Sequence, residues 1–213
     1  MKKELKEKRS RRNKLKKGQL TSLLSGHKEF ALCDDFMGAL EGFSIDRIMS
    51  IDLSFRNAGI IIFEWDEDGK IEIVHRSTIK TPSPEKGKYK INSIINLFLV
   101  LRNNIFNLAK EYSAELIFVE YPYASQMARD AHMMGLCHGI MANLSDEYYV
   151  HPIHPLDVKS FASHGSNCDK KIVKQTAQEL FPYIDLNKWT EHEIDSLVIA
   201  AKGMTDYTEL KLK

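Results

Sequence analysis

The chain has 213 residues and is 43% hydrophobic, enough for one ordinary domain with a real core and an appendage. Its longest apolar runs, 91–101 and 194–201, are broken by polar residues and fall short of the roughly 20 needed to span a bilayer, which excludes a membrane-spanning role. The net charge of +1 hides an asymmetry: residues 1–17 hold ten Lys or Arg and two Glu, and the other 196 residues carry a formal −7.

The basic stretch 1–17 reads as a disordered tail that either grips phosphate backbones or stays solvated. It lacks the apolar segment of a secretory signal, and Glu4 and Glu7 argue against an organellar transit peptide, so the expected location is cytoplasmic. Residues 18–45 mix short apolar pairs with Gly and Ser and form an extension to which no structure is assigned. Isoleucine-rich segments at 48–51, 59–65 and 70–75, separated by Ser-Phe-Arg-Asn and Asp-Glu-Asp-Gly, predict three antiparallel strands. After "TPSPEKG", apolar residues at helical spacing predict a long helix over 88–112. "ELIFVE" is a short buried strand ended by Pro122, and 124–144 a second helix in which Ala128, Ala131, Gly135 and Gly139 permit close packing and Met127, Met133, Met134 and Met141 serve the core or an interface. "YYVHPI" is a fifth strand, and helices follow at 155–163, 169–180 and 191–203. The order describes an α/β domain over 46–206 with a mixed sheet, leaving 207–213 as a C-terminal tail. Cys33, Cys137 and Cys168 are odd in number and lack ligand spacing, so they read as free thiols of a reducing compartment.

Asp52 and Glu120 each end an apolar strand, where a carboxylate is costly unless it is paired, hydrogen-bonded or bound to a cation. His192 and Asp195, three apart in "EHEIDSLVIAA", project from one face of the last helix. If that helix crosses the strand tips, the four side chains converge. Oxygen ligands without a competing Cys or His cluster favour Mg²⁺, or Mn²⁺, over zinc. A few carboxylates around such ions form the arrangement of two-metal phosphodiester hydrolysis. Taken singly, each acid has a plainer account: Asp52 as a turn cap, Glu120 as the partner of a lysine, and the helix acids as complements of the helix dipole.

The segments "SIDLSFRNAGIII", "IFVEYPYASQMARDAHMMGLCHGI", "HPLDVKSFASHGSNCDKKIV" and "EHEIDSLVIA" resemble, in order, the motifs of RuvC-type Holliday junction resolvases of the ribonuclease H-like superfamily. The resemblance covers about 47–203. It implies a ribonuclease H-like fold with a mixed five-stranded sheet, its first three strands antiparallel, flanked by helices. It also implies a Mg²⁺-dependent endonuclease, with two ions per site, that resolves four-way DNA junctions by paired symmetric nicks in recombination and repair. Asp52, Glu120, His192 and Asp195 then bind the metals, His192 as ligand or water-orienting group, and Glu191 is an extra carboxylate near them. Tyr123 falls where the family carries an aromatic residue that contacts unpaired bases. Lys159 and Lys170 match family lysines near the scissile strand, while Gln126, Arg129, Arg56 and Lys171 are further candidates for DNA phosphate. His151 and His154 read as structural or surface residues. A junction with two-fold symmetry needs two matched sites, so the resemblance implies a homodimer. Where the family commonly has Pro-Gly-Ser after the first aspartate, this chain has Leu53, Ser54 and Phe55, the pattern of a divergent member of the sort carried by phages. The same acids serve nucleases acting on flaps, Y-forks or structured RNA, and a non-catalytic DNA-binding adaptor is the alternative outside enzymes.

Overall fold

Alternation along the isoleucine-rich strands decides what lies on each face of the sheet. The computed structural model describes residues 45–65, 71–82, 91–121, 128–163 and 169–211, with backbone alone at 91–92, 128–130 and 211. Strands β1 (Ile48–Asp52), β2 (Asn57–Trp65) and β3 (Ile71–Lys80) are followed by helix α1 (Ile91–Glu111), β4 (Leu116–Glu120), α2 (Ala128–Ser145) and β5 (Tyr149–Ile153). Helices α3 (Pro155–Ser163) and α4 (Lys170–Leu180), a 3₁₀ turn (Leu186–Lys188) and the long α5 (Glu191–Lys211) complete the chain.

The sheet order is β3-β2-β1-β4-β5. β1 to β3 run antiparallel, and β4 lies parallel to both β1 and β5, so the expected mixed five-stranded sheet is the one observed. Side chains alternate along each strand, and both faces of the sheet are covered. Ile48, Ile61, Phe63, Leu116 and Phe118 pack on the face shared with α3, α4 and α5. Met49, Ile51, Ile60, Ile62, Ile117 and Val119 pack against α1 and α2 on the other. This two-sided burial is why β1, β2 and β4 read as continuous apolar runs.

Four expectations need correction. β3 does not stop at residue 75 but continues to Lys80, because Arg76 to Lys80 is a half-exposed edge segment whose polar residues mask the strand pattern. α5 does not end at Gly203. A Cβ there would lie 2.4 Å from the Phe118 ring, so this glycine permits close helix-to-sheet packing rather than stopping the helix. Residues 207–211, expected as a tail, continue α5, and Tyr207 packs against the core. In α2 the small residues do not make a close-packed seam where the structure describes them: a Cβ at Gly135 would meet nothing within 4 Å, and one at Gly139 would make ordinary contact with Phe98 at 3.8 Å. Met133 and Met141 instead pack against the α1/α2 core. Cys137 is a free thiol there, buried, and burial pushes its pKa up to about 12. Residues 1–44, Cys33, Cys168, Tyr123 and Gln126 lie outside the described residues.

Candidate metal centre

One transverse row of the sheet builds the site. Thr78 of β3 pairs with Gly59 of β2, Gly59 with Asp52 of β1, and Asp52 with Glu120 of β4. Asp52 and Glu120 are therefore immediate neighbours on parallel strands, on the face that carries α5.

The first turn of α5 lies across this row. At its start, Thr190 and Glu193 form a reciprocal cap: the Glu193 N–H donates to Thr190 Oγ1 at 3.2 Å and the Thr190 N–H donates to Glu193 Oε2 at 2.9 Å. Thr78 and Thr190 share a hydroxyl hydrogen bond of 2.6 Å. A Cβ on Gly59 would lie 2.0 Å from the His192 carbonyl oxygen, so only glycine lets the helix backbone approach the strand this closely. On the next turn, buried Ser196 ties the helix to β1. Its carbonyl accepts from Ser50 Oγ at 2.7 Å and its Oγ accepts from the Asp52 N–H at 3.0 Å.

The result brings His192 and Asp195 onto Asp52. His192 Nδ1 lies 2.7 Å from Asp52 Oδ2, and since a carboxylate can only accept, the imidazole N–H donates. Ligand atoms of Asp52, His192 and Asp195 all lie within 4.8 Å of one another. Glu120 stands beside them, close enough for the charges on Asp52 and Asp195 to act on it.

The electrostatics are those of crowded anions. Burial, then the charges of Asp52 and Asp195, push the Glu120 carboxyl up to about 8, against which Lys159 pulls. Burial, then Asp52, raise Asp195 to about 6, opposed by His192 and Lys170. The hydrogen bond to Asp52 outweighs burial at His192 and raises its pKa, favouring the imidazolium. Glu120 and Asp195 stay raised despite His192, Lys159 and Lys170, so the cluster holds more negative charge than its neighbours offset, and a divalent cation would supply the balance. The donor set of carboxylate oxygens and one imidazole nitrogen, with no thiolate, fits a hard ion such as Mg²⁺ or Mn²⁺.

The other predicted residues divide. Lys159 and Lys170 are exposed at the rim, near enough to lower the pKa of Glu120 and Asp195 respectively. Lys170 pairs with Glu191, so Glu191 faces that lysine and is not one of the clustered ligands. Lys171 is exposed, its N–H held by the α4 cap Asp169. Arg56 lies in the β1–β2 turn, its carbonyl accepting from Thr81 N–H at 3.0 Å. Arg129 belongs to α2, its side chain outside the described atoms. His151 faces Asp206 and His154 Nδ1 accepts from the Leu156 N–H, both structural. Sequence reasoning missed Ser50, Ser196, Thr78 and Arg76. The one available signal was a serine in the middle of the otherwise apolar "IMSID".

No protein-family model and no curated protein matches the sequence. Solved structures do match by shape. Thermus thermophilus RuvC in complex with a Holliday junction substrate superposes with a TM-score of 0.57 at 16% identity, over 74% of this chain and 92% of that one. The chain has the RuvC fold. A second Thermus thermophilus RuvC structure gives 0.55 at 16% identity, over 73% of this chain and 92% of that chain. The yeast mitochondrial Holliday junction resolvase gives 0.52 at 16% identity, over 90% and 95%. The match to RuvC spans almost the whole of that protein, and in this chain the acids stand on the first and fourth strands and the last helix.

Proposed function

We propose that this chain is a metal-dependent endonuclease that resolves four-way DNA junctions. The observation that carries the reading is the convergence of Asp52, His192 and Asp195 beside Glu120, at the tips of two parallel strands, in a RuvC fold. Asp52, Glu120 and Asp195, with His192 as ligand or water-orienting group, would hold two Mg²⁺ ions, with Mn²⁺ as a substitute. When bound, these supply activation of the attacking water and charge stabilisation at the 3′ oxygen that leaves.

The chain's own residues set the conditions. Glu120, with its pKa near 8, holds a proton at neutral pH that must leave before both strand-tip carboxylates can act as ligands. His192, fixed by its bond to Asp52, orients the water or joins the ligands. Lys159 and Lys170, exposed at the rim of the acidic site, supply positive charge where phosphates flanking the scissile bond would lie. Tyr123 stacks on an unpaired base, and Arg56 and Arg129 meet the backbone. Two copies, each cutting one of two opposed strands, form the working dimer. Thermus thermophilus RuvC, seen in complex with a Holliday junction substrate, and the yeast mitochondrial Holliday junction resolvase support this choice of substrate.

The test is cleavage of labelled four-way junctions, flaps and linear duplex in Mg²⁺ or EDTA, beside Asp52→Asn and Glu120→Gln. Symmetric nicking of the junction, lost in EDTA and in either variant, is the expected result. Equal cleavage of flaps and duplex would make the protein a general structure-selective nuclease, and binding without cleavage in Mg²⁺ would overturn the enzyme reading.

A further inference from the structure

The turn that carries His192 and Asp195 brings the Asp195 carboxylate toward those of Asp52 and Glu120, and the repulsion among these three, which His192 offsets only in part, opposes that position. On the side nearer Gly59 and Asp52, Ser196 and the close backbone approach at Gly59 secure the turn. On the far side its hold comes from edge strand β3. Glu193, which lies between His192 and Asp195 in sequence, is 5% exposed and turned away from the metal ligands. Its Oε2 accepts from Arg76 Nη1 at 2.8 Å and from the Thr190 N–H at 2.9 Å. The same guanidinium reaches the Lys188 carbonyl at 3.5 Å and stacks over the Trp189 ring at 5.2 Å. One arginine thus touches residues 188, 189 and 193, the connection into α5 and its first turn.

We propose that Arg76 is a positioning residue for the metal centre, acting through Glu193 to hold the first turn of α5 at the strand tips. The inference rests on the metal-site reading above. Charge contributes here as well as contact. Glu193 adds a further negative charge to a turn already crowded with carboxylates, and Arg76 neutralises it in a half-buried, stacked geometry that a lysine does not reproduce. Removing the guanidinium leaves a buried carboxylate with only the Thr190 N–H, and the turn relaxes away from Asp52.

The test is Mn²⁺ binding to the full chain without DNA, followed by the free-ion EPR signal at a temperature where every variant is folded, with melting in EDTA recorded alongside. Arg76→Gln should weaken Mn²⁺ binding about tenfold, the scale of losses from residues that orient ligands. Glu193→Gln should do the same, the double variant no worse than either, and Arg76→Lys should lose less. If Arg76→Gln melts earlier yet binds Mn²⁺ as the wild type does, Arg76 is merely structural and the proposal fails. If Arg76→Gln does not fold, Arg76→Lys decides, and unchanged binding there also overturns the proposal. A wild-type chain that binds no Mn²⁺ would instead sink the metal reading, and this inference with it.

Discussion

Gly59 lies against the main chain of His192, with room for a hydrogen and none for a methyl group. A Cβ at this position would stand 2.0 Å from the carbonyl oxygen and 2.4 Å from the carbonyl carbon. Gly59→Ala must therefore lift the start of α5 from β2, at a cost of at least the ~1–3 kcal/mol typical of overpacking. Because the same turn presents His192 and Asp195, the loss of divalent-ion affinity should exceed what the loss of stability explains. Thermal melting and Mn²⁺ titration check both, and an alanine variant that matches the wild type in each would mean that the helix is not seated here.

Metal-free protein should lose stability as the pH rises from about 4.5 to about 8. Glu120 holds its proton to about 8 when folded, against 4.5 for an ordinary glutamate, so above 4.5 the unfolded chain releases a proton that the folded chain keeps. The contribution is full below the unfolded value and is gone once the pH passes the folded one. Asp195 adds a lower window, from 3.8 to about 6. Melting profiles in EDTA should slope downward through both windows, and Glu120→Gln should flatten the upper one. A wild-type profile that is level between pH 6 and about 8 would contradict the crowding of carboxylates described here.

Added Mg²⁺ should reverse that penalty. At a hundred times its dissociation constant an ion that binds only the folded state stabilises by about 2.7 kcal/mol. Asp52→Asn should abolish this shift and lower cleavage roughly a thousandfold or more, since a cation supplies several kcal/mol of transition-state stabilisation. In EDTA at pH 8 the same variant should melt no lower than the wild type, because it removes one of the mutually repelling charges. An Asn variant still stabilised by Mg²⁺ to the full extent would remove Asp52 from the ligand set.

Lys159→Gln and Lys170→Gln should weaken junction binding without touching Mn²⁺ affinity. Each should reduce the steepness of log affinity against log salt by about one. For Lys170 the effect should be the smaller, because Glu191 already engages it in the free protein. Binding isotherms across a salt series separate the two, and an unchanged slope in both variants would place the DNA elsewhere.

The strands that bury both faces were legible because a short, continuous apolar run bounded by turns and rich in β-branched residues fits a buried strand far better than a helix or a loop. The acids were legible for the converse reason, since Asp52 and Glu120 interrupt such runs at their ends. What escaped the sequence was everything that holds the acids together. Arg76 and Thr78 sit on an edge strand whose polar, half-exposed residues carry no period. Ser196 looks like any serine in a helix until the Asp52 N–H is found against it. Gly203 imitates a helix stop because glycine serves close packing and termination alike, and only the Phe118 ring tells them apart. Pairing between distant segments leaves no mark on either segment alone.

The neighbouring positions of Asp52 and Glu120 depend on β1 and β4 lying side by side in a single register. A slip by one residue would turn either carboxylate to the opposite face, away from α5. The acidic set is drawn from the first strand, the fourth strand and the last helix, so no early portion of the folding chain holds it complete. Asp52 and Glu120 already face each other once β1 and β4 pair, and Asp195 joins them when α5 docks, so that docking adds a third carboxylate to two that repel it. A divalent ion bound as proposed would therefore favour the docked position of the turn as well as serve the reaction.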